Sequence, residues 1–480
     1  MSFTSLKFVV FFAVAAGGFY ALPAKGKKPW LLACCYGFYM YARPAFGLLL
    51  AGGTLVGYLC GLSCERALLG RKRLWTALGV GYTLGVLFLF KYLDFFCASL
   101  LPTLGVSYSG FSLALPVGIS FFSFALCGYL FDVQKGKLHA EGNLLDFALF
   151  VAFFPTLLAG PIGQARTFLP QLKQPMVFRG DRLRRGFLRF LWGDFKKLVA
   201  ADTLGLIVDK AFAGPEGYSG GALLLAVICY SLQIYFDFSA YSHMAVGCAG
   251  MLGFSVTENF RAPYLSTSVK DFWKKWHISL TSWFREYLYF PLGGSRKGFF
   301  RTQLNVVIVF AVSGLWHGAD WTFVLWGLLN GLYQVAGAVT EGLRSRIRGV
   351  LGIAEDSRGL YLWRLACTFG LLTVSWIFFR ADSMDQAIFI IKRILLILRD
   401  GFGWTSIRAL FSLQQVGLAL LCLLSCLRED RLISLGQPAE TFDGRPFAYW
   451  GTVLTLALMI AVFGVYGAGF DPKDFLYFSF

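Results

Sequence analysis

Long apolar runs separated by short, mostly basic breaks dominate the pattern along the chain. They fall near residues 8–22, 30–41, 45–63, 75–96, 112–131, 144–160, 187–213, 221–251, 304–316, 320–340, 361–379, 408–427 and 448–468. A helix needs about 20 apolar residues to cross a bilayer, and several of these runs are shorter. The pattern therefore predicts roughly eleven spans with one or two re-entrant or interfacial pieces. Nothing resembles the alternating strands of a membrane barrel, so the predicted class is all-α integral membrane. No fixed-period repeat occurs and no polar stretch is long enough for a soluble domain, so residues 1–480 read as a single membrane domain.

Charge sharpens this picture. Charged residues make up only 15% of the 480 positions, where a soluble chain carries roughly 25%. The formal net charge is nevertheless +17. Its cations cluster at Lys25–Lys28, Arg71–Arg73, Arg182–Arg189 and Arg344–Arg348, between apolar runs. That is the distribution of cytoplasmic loops under the positive-inside rule, not the footprint of a nucleic-acid-binding surface. The run after Lys7 reads as a retained first span, because Lys25, Lys27 and Lys28 follow it and hold its far end in the cytoplasm. The 11 cysteines include no Cys-x-x-Cys. Cys60/Cys64 and Cys422/Cys426 have helical spacing without a His or carboxylate to complete a metal site, so no metal is expected.

Candidate chemistry lies in polar residues set in apolar surroundings, where a titratable group is costly and tied to function. His317 sits in Gly314-Leu-Trp-His-Gly318, whose small residues admit a helix or a substrate close to the ring. A buried, neutral imidazole there could take a proton from an attacking hydroxyl, or merely hydrogen-bond between helices. His277 falls within Ser266–Phe290. At 100° per residue Val269, Phe272, Trp273, Trp276, Leu280, Trp283, Phe284 and Tyr287 share one stripe of that segment. This predicts an amphipathic interfacial helix with His277 at the stripe's edge, either exposed or functional. Asp237, among aromatics in Ile234–His243, needs a partner: a His ring it orients, or an Arg it pairs with. His243 and His139 are expected to face water or a loop, and Asp132 to end a helix.

Several of these segments resemble the membrane-bound O-acyltransferase (MBOAT) family. They are Tyr235-Phe-Asp-Phe-Ser-Ala-Tyr-Ser-His-Met-Ala245, Glu258-Asn-Phe-Arg-Ala-Pro-Tyr-Leu-Ser-Thr-Ser268, Asp271-Phe-Trp-Lys-Lys-Trp-His-Ile-Ser-Leu280, Trp283–Gly294 and Gly314–Gly318. Leu115–Phe121, Gly193–Lys197, Trp376–Ala381 and the ending Phe475–Phe480 agree, and the core of the likeness is 230–335. Within the family the likeness is greatest to the branch of bacterial alginate O-acetyltransferase membrane subunits. One departure is Tyr241-Ser-His243, where the family commonly has Tyr-Ser-Asp.

The resemblance implies a helical bundle around a transmembrane tunnel in a bacterial inner membrane. It assigns the principal catalytic role to His317 and the second signature position to His277. Asp237, Asn259, Trp273, Lys274, Arg285 and Trp316, in or beside the same motifs, become candidate substrate contacts. The implied donor is acetyl-CoA or another acyl thioester, with no bound cofactor. The implied acceptor is a cell-surface polysaccharide, or an extracytoplasmic SGNH-like acyltransferase partner that passes the group on. Two alternatives stand beside this reading: D-alanyl transfer to teichoic acid from a carrier-protein thioester, and a non-catalytic transporter or lipid flippase.

Overall fold

The computed structural model describes residues 1–111, 113–435, 445–466 and 475–476. The predicted ends of the last apolar run, at 467–468, and of the family-like terminus, at Tyr477–Phe480, lie outside the described residues, as does position 112. Among the described residues the chain is all-helical. Seven helices are long and apolar enough to cross a membrane, and an eighth if the pair Trp404–Leu410 and Leu413–Ser434, bent by 78°, is one span. Leu6–Ala21 and Ile119–Gln134 are apolar but shorter.

Several runs break where local chemistry demands it. Helix Ile119–Gln134 starts late because Gly118 stands at φ +80°, after Pro116. The 144–160 run divides into Leu144–Ala152 and Phe154–Leu157 at Phe153-Phe-Pro155, so neither piece is long enough to span. The Arg182–Arg189 cluster lies on helix Gly180–Phe195, and Arg344–Arg348 on helix Glu341–Val350.

Two compact units emerge. The first comprises chiefly Met1–Asp194 and Tyr241–Glu258. Its helices Ala45–Arg66, Leu69–Leu87 and Ile119–Gln134 pack through small residues. A Cβ on Gly57, Gly61 or Gly79 would lie 2.7 Å from Leu126, Tyr129 or Leu130. Such glycines let helices approach closely where lipid offers no hydrophobic drive to pack them. Phe3 stacks on Phe8 and on Tyr241, 4.4 and 4.8 Å between centroids. Ion pairs Lys28–Asp146 (2.7 Å), Arg166–Asp132 (2.9 Å) and Lys173–Glu141 (3.0 Å) join segments of the unit. Asp132 does lie in the last turn of its helix, and His139 is exposed beside Glu65 at 2.7 Å. His243, expected at water or a loop, is instead buried within helix Gly220–Met251, whose neighbours cover it.

The second unit comprises chiefly Phe195–Ala240 and Asn259–Leu476. Its centre is the hairpin of Phe299–His317 and Trp321–Val339, with Arg358–Arg380 against the latter. Gly314 and Gly327 make the hairpin's backbones touch: a Cβ at Gly314 would sit 2.2 Å from the Phe323 carbonyl oxygen. A π turn at Lys196–Ala201 carries two adjacent buried lysines. Successive residues diverge around a helix, and each lysine meets its own acid. Lys196 pairs with Glu429, and Lys197 pairs with Asp202 (2.9 Å) and Asp237 (2.7 Å).

Candidate functional site

The segment expected to form one amphipathic interfacial helix is broken at its centre. Val269–Lys275 ends, His277 takes φ +45° and ψ +53°, and Ile278–Phe284 begins. A hydrophobic stripe cannot reveal such a break, because apolar residues continue on both sides of it. The stripe residues Phe272, Trp276, Leu280 and Phe284 are buried in the unit, not laid on an interface. His277 itself is 1% exposed, not solvent-facing. A left-handed backbone costs a non-glycine residue about 1–2 kcal/mol, and Ala262 at φ +52° is the one other such residue among those described. Strain of this kind persists only where surrounding structure imposes it, and it clusters at functional sites.

Helix Phe299–His317 ends on His317, 4% exposed, and the hairpin turns back through Asp320, which caps Trp321–Val339 by accepting from the Thr322 N–H at 2.8 Å. The two imidazoles thus arrive from separate elements with ring centroids 6.4 Å apart. That is too far for a direct hydrogen bond between them.

Aromatic walls surround the pair. Phe238 meets His277 edge-on at 4.6 Å, and Trp316 lies 6.0 Å from His277 and 4.9 Å from His317. Trp326 and Phe379 approach His317 at 5.0 and 5.3 Å, and Trp326 stacks on Trp376 at 5.6 Å. Burial in this wall holds the His277 ring neutral, its pKa lowered to about 3. A neutral imidazole keeps an acceptor lone pair on one ring nitrogen, though burial of this depth makes that nitrogen of His277 a weak base.

The other predicted contacts separate into distinct positions. Trp316 flanks both imidazoles. Trp273 is buried and donates its indole N–H to Asn330 Oδ1 at 3.2 Å, while Asn330 Nδ2 donates to the Trp326 carbonyl at 2.9 Å. That chain ties the His277 segment to the hairpin. Lys274 and Arg285 are exposed on either side of His277 in sequence. Asp237 accepts from Lys197 and from the Leu476 N–H at 2.9 Å, so its partner is a lysine where an arginine or histidine was expected. Asn259 is fully buried and bonded to backbone. Trp326, Trp376, Phe379, Phe238 and Asn330 went unmarked by sequence reasoning. They fell inside the family-like segments Tyr235–Ala245, 230–335 and Trp376–Ala381 but were not singled out, because an aromatic residue in an apolar helix carries no sign of which face it takes.

Comparison with known proteins agrees with this geometry. The family model described as MBOAT, membrane-bound O-acyltransferase family, matches residues 138–379, which include both histidines and their aromatic wall. The chain is 38% identical over 394 residues to a probable alginate O-acetylase AlgI of Pseudomonas putida, covering 81% of this chain and 79% of that protein. It is 32% identical over 424 residues to a peptidoglycan O-acetyltransferase of Helicobacter pylori, covering 81% and 78%. A teichoic acid D-alanyltransferase of Bacillus subtilis is 28% identical over 225 residues, covering 45% and 56%.

Proposed function

Because the chain belongs to the membrane-bound O-acyltransferase family and is a multi-pass membrane O-acyltransferase, we propose that it moves an acetyl group across the bacterial inner membrane to a cell-surface polysaccharide. The transporter reading falls away with that membership. The observation that carries the proposal is the pair of buried imidazoles, 6.4 Å apart within one aromatic wall.

In this reading the fold is one membrane domain of roughly eleven passes and re-entrant pieces around a tunnel. A cytoplasmic thioester, acetyl-CoA by preference, is drawn by the basic segments at that face. Its acyl carbon reaches His317. His317 removes the proton from the attacking hydroxyl as the C–O bond forms and the C–S bond breaks, and the proton passes to the departing thiolate. General-base action of this kind is worth about 10²–10⁴-fold, and holding donor and acceptor together supplies the remainder. His277 and Trp316 contact the acyl group from the other side, and Lys274 and Arg285 meet the donor's polar parts. The acceptor is the polysaccharide itself or an SGNH-like extracytoplasmic partner. The long matches to acetylating relatives, against the shorter match to the D-alanyltransferase, favour acetyl over D-alanyl transfer.

Purified protein in liposomes, given labelled acetyl-CoA on one side and an acetylatable glycan on the other, tests this. Label appearing as O-ester on the far side supports it. Transfer only from a D-alanyl carrier-protein thioester would replace it with the second reading.

A further inference from the structure

His277 opens helix Ile278–Phe284 from the N-cap position, yet its side chain makes no capping bond. A residue there usually turns its side chain back to accept from the first N–H groups of the helix. Nine residues earlier the chain does this in the ordinary way, Ser268 Oγ accepting from the Asp271 N–H at 3.1 Å. For the second helix the task has moved elsewhere. The Asn259 carbonyl accepts from the Ile278 N–H at 3.0 Å, and Asn259 Oδ1 accepts from the Ser279 N–H at 3.1 Å. Two residues on, the Arg261 N–H donates to the Lys275 carbonyl at 3.0 Å, on the near side of the break. The 259–261 segment is therefore fastened to the chain both before and after His277.

We propose that Asn259 is a positioning residue: it caps the 278–284 helix from outside, holds His277 in its left-handed backbone, and so sets where the imidazole stands beside His317. With the capping bonds supplied by Asn259, the backbone on both sides of position 277 is tied to the 259–261 segment, and the direction of the ring follows from it. Asn259 is thereby moved from the substrate contacts to the scaffold of the second imidazole. Its role in turnover rests on the function proposed above; its role in placing the ring does not.

The test has two arms. The chain has four histidines, so protein labelled with 15N-histidine in liposomes gives few ring signals, and His277→Ala identifies the one from residue 277. Asn259→Ala should move that signal. Asn259→Asp, which keeps an oxygen acceptor at the same reach, should leave it nearly in place. Should the alanine variant fail to fold, Asn259→Gln, which displaces the acceptor by one methylene, should move the signal in its stead. In the activity arm, Asn259→Ala should lower kcat about 10²-fold with KM little changed, the scale set by a misplacement of about 1 Å. Added to His277→Ala it should cost nothing more. A His277 signal unmoved by both Asn259→Ala and Asn259→Gln overturns the proposal, as does a multiplicative loss in the double variant. An inactive wild-type protein would overturn the functional reading, while the ring signals still decide the positioning role.

Discussion

Substitution of Gly314 by alanine should separate the two halves of the site's scaffold. The Phe299–His317 and Trp321–Val339 helices meet backbone to backbone there, with the Cβ of an alanine 2.2 Å from the Phe323 carbonyl oxygen. Ordinary contact begins at 3.4 Å, so the helices must part by about 1.2 Å, and backbone cannot swing aside as a side chain can. Overpacking of this kind costs about 1–3 kcal/mol. His317 lies three residues on in the same helix, so it moves with the displaced backbone, and a shift of about 1 Å at a reacting group costs about 10²-fold in rate. The control is Gly337→Ala in the partner helix, where a Cβ meets nothing within 4 Å. It should leave the rate unchanged and gain up to about 1 kcal/mol from helix propensity. Acetyl-transfer rates in liposomes and thermal unfolding in detergent measure both effects. A Gly314→Ala enzyme with wild-type kcat would refute the claim that this contact sets the position of His317.

Other outcomes follow from the same geometry. His277→Gly and His277→Ala should both lose most activity, but the glycine variant should be the more stable by about 1–2 kcal/mol, since only glycine adopts φ +45° without cost; equal melting temperatures would contradict this. Because burial lowers the His277 pKa from 6.5 to about 3, the unfolded chain binds the extra proton between those values. The stabilising effect of a neutral His277 is thus complete above pH 6.5 and lost as pH falls towards 3, and His277→Ala should flatten the wild-type slope in that window when unfolding is followed against pH. Lys197→Met leaves Asp237 and Asp202 buried without their shared cation and should destabilise by about 3–5 kcal/mol in a detergent melt; an unchanged melt would mean the network contributes little.

The sequence made the membrane class and the helical content legible and put His277 and His317 forward as candidates, because apolar run length and isolated polar residues are read directly from residue type. It did not make the geometry at position 277 legible. The apolar stripe passes through that position unbroken, while the N–H groups just after it are bonded by Asn259, distant in the chain and close in space. The need of Asp237 for a partner was visible, but not that Lys197 would supply it, since spacing alone does not show the π turn that buries the two lysines. Span counting suffered likewise: Pro155 and Gly118 interrupt runs whose composition alone suggested crossings.

The role of His317 can be measured directly with the purified His317→Ala protein in liposomes, its fold checked by thermal melting and its acetyl transfer compared with wild type at saturating donor. A loss of about 10²–10⁴-fold in kcat with an undisturbed melt is the predicted result. Transfer at the wild-type rate by that variant would contradict the account.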